Sequence, residues 1–275
     1  MGYEIDSAIQ EHYGIGVERD RLTTWGRLEA VRTGELLDRF LPEPPAVVLD
    51  IGGAEGAYAL PLAAAGYEVH LIDPVERHVD AARAASATAP APLASASVGD
   101  ARALPQADGS ADAVLLLGPL YHLVEAADRA TALAEARRVL RPGGVLLAAA
   151  ISRFASALDG GVRAGYFGDP RFAAIVDRDL TDGVHRNPDP AGRPEWFTLA
   201  YFHHPYGLRD EVVAAGFPEV QVLAVEGIGA AGDTGPLLDD PGTREVLLGT
   251  IRRLESEPTL LGASPHLIAV AVASG

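Results

Sequence analysis

The 275-residue chain has no cysteine, and its 22 Lys+Arg residues are all arginine, so lysine is missing as well. Without cysteine there is no disulfide framework, thiolate zinc site, iron–sulfur cluster or cysteine nucleophile. Without lysine there is no Schiff-base chemistry and no phosphate-loop lysine. Positive charge is scarce overall. The 38 acidic residues leave a formal net charge of -16, the wrong sign for nucleic acid or for an anionic membrane surface. Long apolar runs are missing too: the longest, 145–151, falls far short of the roughly 20 residues that span a bilayer. Residues 1–10 are polar and acidic and do not read as a secretory signal. A cytoplasmic protein with no membrane and no nucleic-acid partner is therefore expected.

What is present is apolar residue in quantity, 48% of the chain, enough for one globular domain carrying an insertion. Leu22, Leu28, Val31, Leu36, Leu37 and Phe40 recur at helical spacing over 20–41, and Pro42, Pro44 and Pro45 end that pattern. Beyond them strands and helices alternate. Strands are expected at 46–51, 68–72, 93–98, 113–117 and 145–150, with helices at 60–65, 75–85 and 124–140 and a turn at Arg141-Pro142-Gly143-Gly144. Nearly all-apolar strands in such alternation predict an α/β fold whose parallel sheet is covered on both faces. Helices at 208–215 and 244–255 and strands at 220–225 and 266–272 follow.

The stretch 151–205 breaks the alternation. It is turn-rich, nearly neutral with 7 acids and 6 arginines, and holds 8 of the 17 aromatics: Phe154, Tyr166, Phe167, Phe172, Trp196, Phe197, Tyr201 and Phe202. It reads as a lid inserted at the carboxyl edge of the sheet, where open α/β sheets bind ligands. The other reading is a small subdomain whose aromatics form its own core. The expected organisation is thus a helical cover over 1–45, a core over 46–150 and 206–275, and a lid over 151–205.

The strongest local motif is Val47-Val48-Leu49-Asp50-Ile51-Gly52-Gly53-Ala54-Glu55-Gly56. A strand ends in a carboxylate and runs into a glycine-rich turn that opens a helix, bringing free backbone N–H groups close to a ligand. A dinucleotide-type G-x-G-x-x-G would put its first glycine on Ile51, and a carboxylate beside pyrophosphate is unhelpful. Asp50 suits a ligand carrying a cationic amine instead. Asp73 ends the next strand, 17 residues past Gly56, where a carboxylate can accept both hydroxyls of a ribose.

With these residues the chain resembles the class I S-adenosylmethionine-dependent methyltransferases. Asp50, Gly52, Ala54 and Gly56 match that family's acid-x-Gly-x-Gly-x-Gly loop, with alanine at the middle glycine. The resemblance implies S-adenosylmethionine as cofactor and a Rossmann-like sheet of order 3-2-1-4-5-7-6, with the last strand antiparallel. It also implies that Gly52, Gly53 and Gly56 shape the loop around methionine and ribose, and that Asp73 and Pro74 hold the ribose. Asp100 and Ala101, in Gly99-Asp100-Ala101, would meet the adenine amine. The run 111–123 matches the fourth-strand motif, whose end at Leu117 and Gly118 would face the sulfonium. Residues 140–144 match the turn before strand five, and 266–272 the reversed last strand.

Smaller candidates surround this frame. Tyr121 and His122 follow the fourth strand, and His203 and His204 close the lid; each is a candidate to line the acceptor site or move a proton. Tyr13 lies in a segment that in related methyltransferases folds over the cofactor, and Arg27 and Arg32 could meet its carboxylate. No His/Asp/Glu group has metal-ligand spacing, so no metal is expected. The expected activity is methyl transfer to a small organic acceptor, aromatic or biosynthetic, with O, N and C acceptors open and the oligomeric state undetermined. The alternatives are a non-methylating reaction on the same fold, such as cyclisation, or a non-catalytic nucleotide-binding partner.

Overall fold

The computed structural model describes residues 6, 8, 9, 12 and 21–274. Seven strands form one sheet: β1 Val47–Ile51, β2 Glu68–Asp73, β3 Ser95–Val98, β4 Ala111–Leu116, β5 Leu140–Ile151, β6 Val220–Ala224 and β7 His266–Val272. Their spatial order is β3-β2-β1-β4-β5-β7-β6. The first five are parallel, and β7 runs antiparallel to both β5 and β6. The strand order that the family resemblance implied is the order observed.

Successive side chains of a strand face opposite ways, and both faces here are apolar. Leu116, Leu146 and Leu267 belong to one buried layer, while their neighbours Leu115, Leu147 and Ile268 belong to the other. Helices α1 Arg27–Phe40, α2 Ala59–Ala64 and α3 Glu76–Thr88 cover the second layer through Leu36, Leu62 and Val79. After the short α4 Pro119–His122, helix α5 Ala126–Val139 covers the first layer through Leu133.

Two sequence expectations need correction. The turn at 141–144 lies within β5, which starts at Leu140 and absorbs Gly143 (φ 82°) through a register shift against β4. The stretch 151–205 is less irregular than its turn residues suggested. It holds a π-helix over Ser156–Arg163 and a 13-residue helix, α6 Pro170–Asp182. Helix α6 carries ordinary boundary chemistry: the Asp169 carboxylate accepts from Arg171 N–H, Pro170 opens the first turn, and Gly183 ends it at φ 79°. Its face of Phe172, Ile175 and Val176 packs on Trp196, so those aromatics form a core of the segment's own.

After a two-residue strand pair, Val184–His185 with Ala200–Tyr201, the chain returns to the sheet at His203, bridged to Ser152. Helix α7 Pro205–Ala214 then packs its Leu208 and Val212 on the first layer, and α8 Gly235–Asp239 and α9 Pro241–Leu254 close the far side against Leu28.

Candidate active site

The carboxyl ends of parallel strands β1, β2 and β3 lie side by side, and each delivers an acid to one cavity of about 630 Å³. Asp50 stands over β1, Asp73 over β2 and Asp100 just past β3, so the acids follow the sheet order. Of the residues singled out from sequence, Asp50, Gly52, Gly53, Ala54, Asp73, Pro74, Asp100, Ala101, Leu117, Gly118, Tyr121 and His122 all line this space.

Asp50 is 1% exposed, and among the described residues its Oδ2 has no hydrogen-bond partner. Burial, and then the charge of Asp73, push its carboxyl up to about 7, against a backbone N–H from Ala59. A buried carboxylate in this state is short of a cation. Gly53 is required beside it, because a Cβ there would lie 2.5 Å from Asp50 Oδ2. Ala54 adopts φ 47°, a left-handed backbone that costs an L-residue roughly 1–2 kcal/mol. What holds it is Asp73, whose Oδ2 accepts from Ala54 N–H at 2.9 Å. Asp73 Oδ1 accepts from Val75 N–H at 2.9 Å and lies 3.2 Å from His78 Nδ1. Asp73 thus joins the glycine turn to the start of α3, with lone pairs left over for a diol.

Asp100 is engaged differently. Arg102 forks onto both its oxygens at 2.8–2.9 Å and reaches Asp128 with its other nitrogen. Burial opposes ionisation of Asp100, but the Arg102 hydrogen bonds and charge outweigh it and hold the carboxyl below its ordinary range.

Beyond Gly118, α4 carries Tyr121 and His122 at the β4 end of the cavity, with Tyr121 Oη donating weakly to Leu117 O at 3.4 Å. Phe197 packs against both rings, at 6.5 Å from Tyr121 and 5.9 Å from His122. It is a non-glycine residue at φ 67°, ψ −159°, a strained conformation of the kind that persists where surrounding contacts over-determine it.

Several sequence candidates lie elsewhere. Gly56 supports the loop from behind, facing Leu60 and Leu71. Tyr13 lies outside the described residues. His203 is 1% exposed and spends Nε2 on Glu211 at 3.1 Å; Glu211 in turn is gripped by Arg129. His204 caps α7, its Nδ1 accepting from Tyr206 N–H, and its ring meets Phe154. Neither histidine lines the cavity, because each is bound up in fastening the returning chain to the sheet. The eight aromatics of 151–205 do not line it either; this segment contributes Arg186 and Leu199 instead.

The arginines were displaced as well. Arg27 pairs with Asp239 at 2.7 Å, and buried Arg32 pairs with Glu255 and Glu35. Among the described residues, the amino-terminal arginine that reaches the cavity is Arg21, held by Glu29. Glu29 also faces His266 (3.6 Å), whose Nδ1 lies 2.5 Å from Glu226. Burial alone would lower the His266 pKa, but the charges of Glu29 and Glu226 raise it to about 9. Three atoms of this trio lie within 4.8 Å of one another, a spacing a metal ion could use. The protonated imidazole and Arg21 already supply positive charge there. Tyr58, His78 and Arg102 also line the cavity. Arg102, two residues after Asp100, and His78, five after Asp73, are the two that local spacing could have flagged.

Residues 48–144 match the sequence model described as a methyltransferase domain. Over that stretch the chain is similar to methyltransferase domains. Over 112 residues it is 38% identical to methyltransferases of Mycobacterium tuberculosis and Mycobacterium bovis that are themselves uncharacterized. That match spans 41% of this chain and 42% of the relatives, less than half their length. Solved structures share the fold over most of the chain. A S-adenosylmethionine-dependent methyltransferase of Thermotoga maritima aligns with TM-score 0.59 and 19% identity, covering 97% of this chain and 99% of that one. A Methanosarcina mazei methyltransferase aligns at 0.58 and 18%, covering 87% and 97%. The [4+2]-cyclase SpnF aligns at 0.54 and 17%, covering 89% and 81%. At such identities the likeness speaks for the fold alone. S-adenosylmethionine is the cofactor that the methyltransferase domain implies, and the row of acids suits it: an uncompensated buried carboxylate for an amine, then a diol acceptor, then an acid beyond β3. Among the described residues no helix is long and apolar enough to cross a membrane.

Proposed function

We propose that the protein transfers a methyl group from S-adenosylmethionine to a small organic acceptor. The observation that carries this reading is the row Asp50, Asp73, Asp100 along one cavity, ending at Tyr121 and His122. Bound there, S-adenosylmethionine supplies an electrophilic sulfonium methyl. The chain's own part is to hold and align. Asp50 neutralises the amine, Asp73 fixes the ribose hydroxyls, and Arg21 takes the methionine carboxylate at the end of the row opposite Asp100. Alignment of this kind converts a bimolecular encounter into a positioned one. Leu117, Pro119 and Leu199 keep water from the transfer end. His122 accepts a proton at its imidazole when the acceptor is a phenol or enol; an amine acceptor needs no such help. The cavity's volume of about 630 Å³ and the acid surplus of the chain both favour a small acceptor over nucleic acid.

Titration calorimetry with S-adenosylhomocysteine and with NAD tests the cofactor. Binding of the first and not the second supports the reading; binding of NAD alone, or of neither, overturns it. Mass spectrometry of acceptor mixtures incubated with S-adenosylmethionine then separates methyl transfer from a rearrangement that leaves the acceptor mass unchanged.

A further inference from the structure

Arginine in the segment 151–205 is almost wholly committed. Arg153 meets Tyr201 and the Asp182 carbonyl, Arg163 meets Asp159, Arg171 meets Asp169 and Asp189, Arg178 meets Asp182, and Arg193 meets Glu195. Arg186 is the sixth, and among the described residues it has no acceptor although the chain carries 38 acids to 22 cations. It is also the one arginine of the segment that lines the cavity.

The backbone that presents it is fixed on both sides. His185 is buried, its ring stacked on Phe202 at 4.5 Å, with Nδ1 on Asp179 and Nε2 on the Trp196 carbonyl, both at 2.8 Å. Asn187 is buried too, donating to the carbonyls of Arg193 at 2.8 Å and Phe197 at 3.0 Å. In this extended stretch alternate residues face opposite ways. The two neighbours turn into the segment's core, and Arg186 faces the cavity.

The position within the cavity is defined by Asn187. It ties this stretch to Phe197, whose ring packs on Tyr121 and His122. Arg186 and Leu199 therefore belong to the wall at the β4 end, far along the row from Asp100. Of the other cavity guanidiniums, Arg21 is held by Glu29, Arg102 by Asp100 and Asp128, and Arg77 lies against His78.

We infer that Arg186 is a specificity residue, and that the acceptor carries a carboxylate which its guanidinium binds beside an organic body resting on Leu199 and the Tyr121–Leu123 stretch. This rests on the methyltransferase reading above and deepens it. A guanidinium presents paired N–H donors that match a carboxylate in a fork, and one fixed on a preorganised backbone loses less freedom on binding. The acidic nucleotide end of the cavity repels such an acceptor, so the same charge also sets its orientation.

The test uses the full chain saturated with S-adenosylhomocysteine. Binding of phenylacetate, 3-phenylpropionate, 4-hydroxybenzoate and indole-3-acetate is compared with that of their primary amides by saturation-transfer NMR and calorimetry. The expected result is at least one acid preferred about tenfold or more over its amide, with Arg186→Gln bringing the pair to near parity and Arg186→Lys retaining part of the preference. S-adenosylhomocysteine affinity, measured separately, should be the same in all three proteins. No acid bound by the wild type, no preference for acids, or a preference that survives Arg186→Gln overturns the inference. So does an Arg186→Gln variant that loses S-adenosylhomocysteine but not 5′-methylthioadenosine, since Arg186 then serves the cofactor's own carboxylate. Failure of the wild type to bind S-adenosylhomocysteine at all is a different result, and it sinks the methyltransferase reading itself.

Discussion

Asp50 and Asp73 flank the same glycine turn, yet only Asp73 is hydrogen-bonded to it: Asp73 Oδ2 takes the Ala54 N–H at 2.9 Å, while Asp50 Oδ2 faces Gly53 without a partner among the described residues. One acid builds the loop, and the other waits for a charge.

The first prediction follows from that asymmetry. Asp50 titrates near 7 in the folded chain and near 3.8 unfolded. Between those values the folded state holds a proton that the unfolded state has lost, so this group's contribution to stability falls as pH rises through the window. Asp50→Asn should therefore stabilise the ligand-free protein at pH 8, by roughly 2–4 kcal/mol at most, while weakening S-adenosylhomocysteine. Urea melts at pH 5 and pH 8 with and without ligand read both effects. A variant less stable than wild type at pH 8 contradicts the account of Asp50.

Asp73 should behave in the opposite way. Replacement by alanine leaves the Ala54 and Val75 N–H groups without their acceptor; both are part-buried, so each orphan costs at most roughly 1–3 kcal/mol. Asp73→Ala is expected to lower stability even in the absence of ligand, and to weaken S-adenosylhomocysteine further if, as proposed, Asp73 holds the ribose. Thermal melts and calorimetry on one preparation separate these. Unchanged affinity in a folded Asp73→Ala protein would mean that the ribose lies elsewhere.

The sequence was most informative where the chain is locally periodic. Apolar runs such as Val47–Ile51 gave the strands, and because parallel strands bring their carboxyl ends to one edge, strand-end acids such as Asp50 and Asp73 could be placed together without a structure. Arg21 and Arg186 were not legible, because nothing near them in sequence marks a cavity that closes only when distant segments meet. His203 and His204 illustrate the reverse problem. Proximity to the end of an insertion says nothing about which way a ring points, and Glu211, eight residues later, already engages His203. The aromatic richness of 151–205 was visible, but composition alone could not say whether those rings face a ligand or Trp196.

Arg21 offers a cleaner cofactor test than either acid. It reaches the cavity with Tyr58 and is gripped by Glu29, which also faces His266 opposite Ile151 of β5. That places its guanidinium on the β5 side of Asp50, away from Asp73 and Asp100. Arg21→Gln should weaken S-adenosylhomocysteine by about tenfold and leave 5′-methylthioadenosine, which lacks the amino-acid end, nearly unchanged. Equal losses for both ligands would place Arg21 near the nucleoside instead.

The Glu29–His266–Glu226 group gives the last prediction. The His266 pKa is near 9 when folded against an ordinary 6.5, because Glu29 and Glu226 face it while Arg21 stands behind Glu29. The folded state binds the extra proton across this interval, so the stabilisation is complete below pH 6.5 and is lost as pH climbs through 9. Its full size is roughly 3 kcal/mol as an upper bound. Most of the fall lies above pH 7, where the window assigned to Asp50 ends, so the two can be distinguished in one pH series of urea melts. His266→Gln keeps a hydrogen-bond donor for Glu226 but cannot carry the charge. It should be less stable than wild type at pH 6.5, and its stability should change little between pH 7 and 9. A variant whose melts track the wild-type decline in that range would show that another group carries the proton.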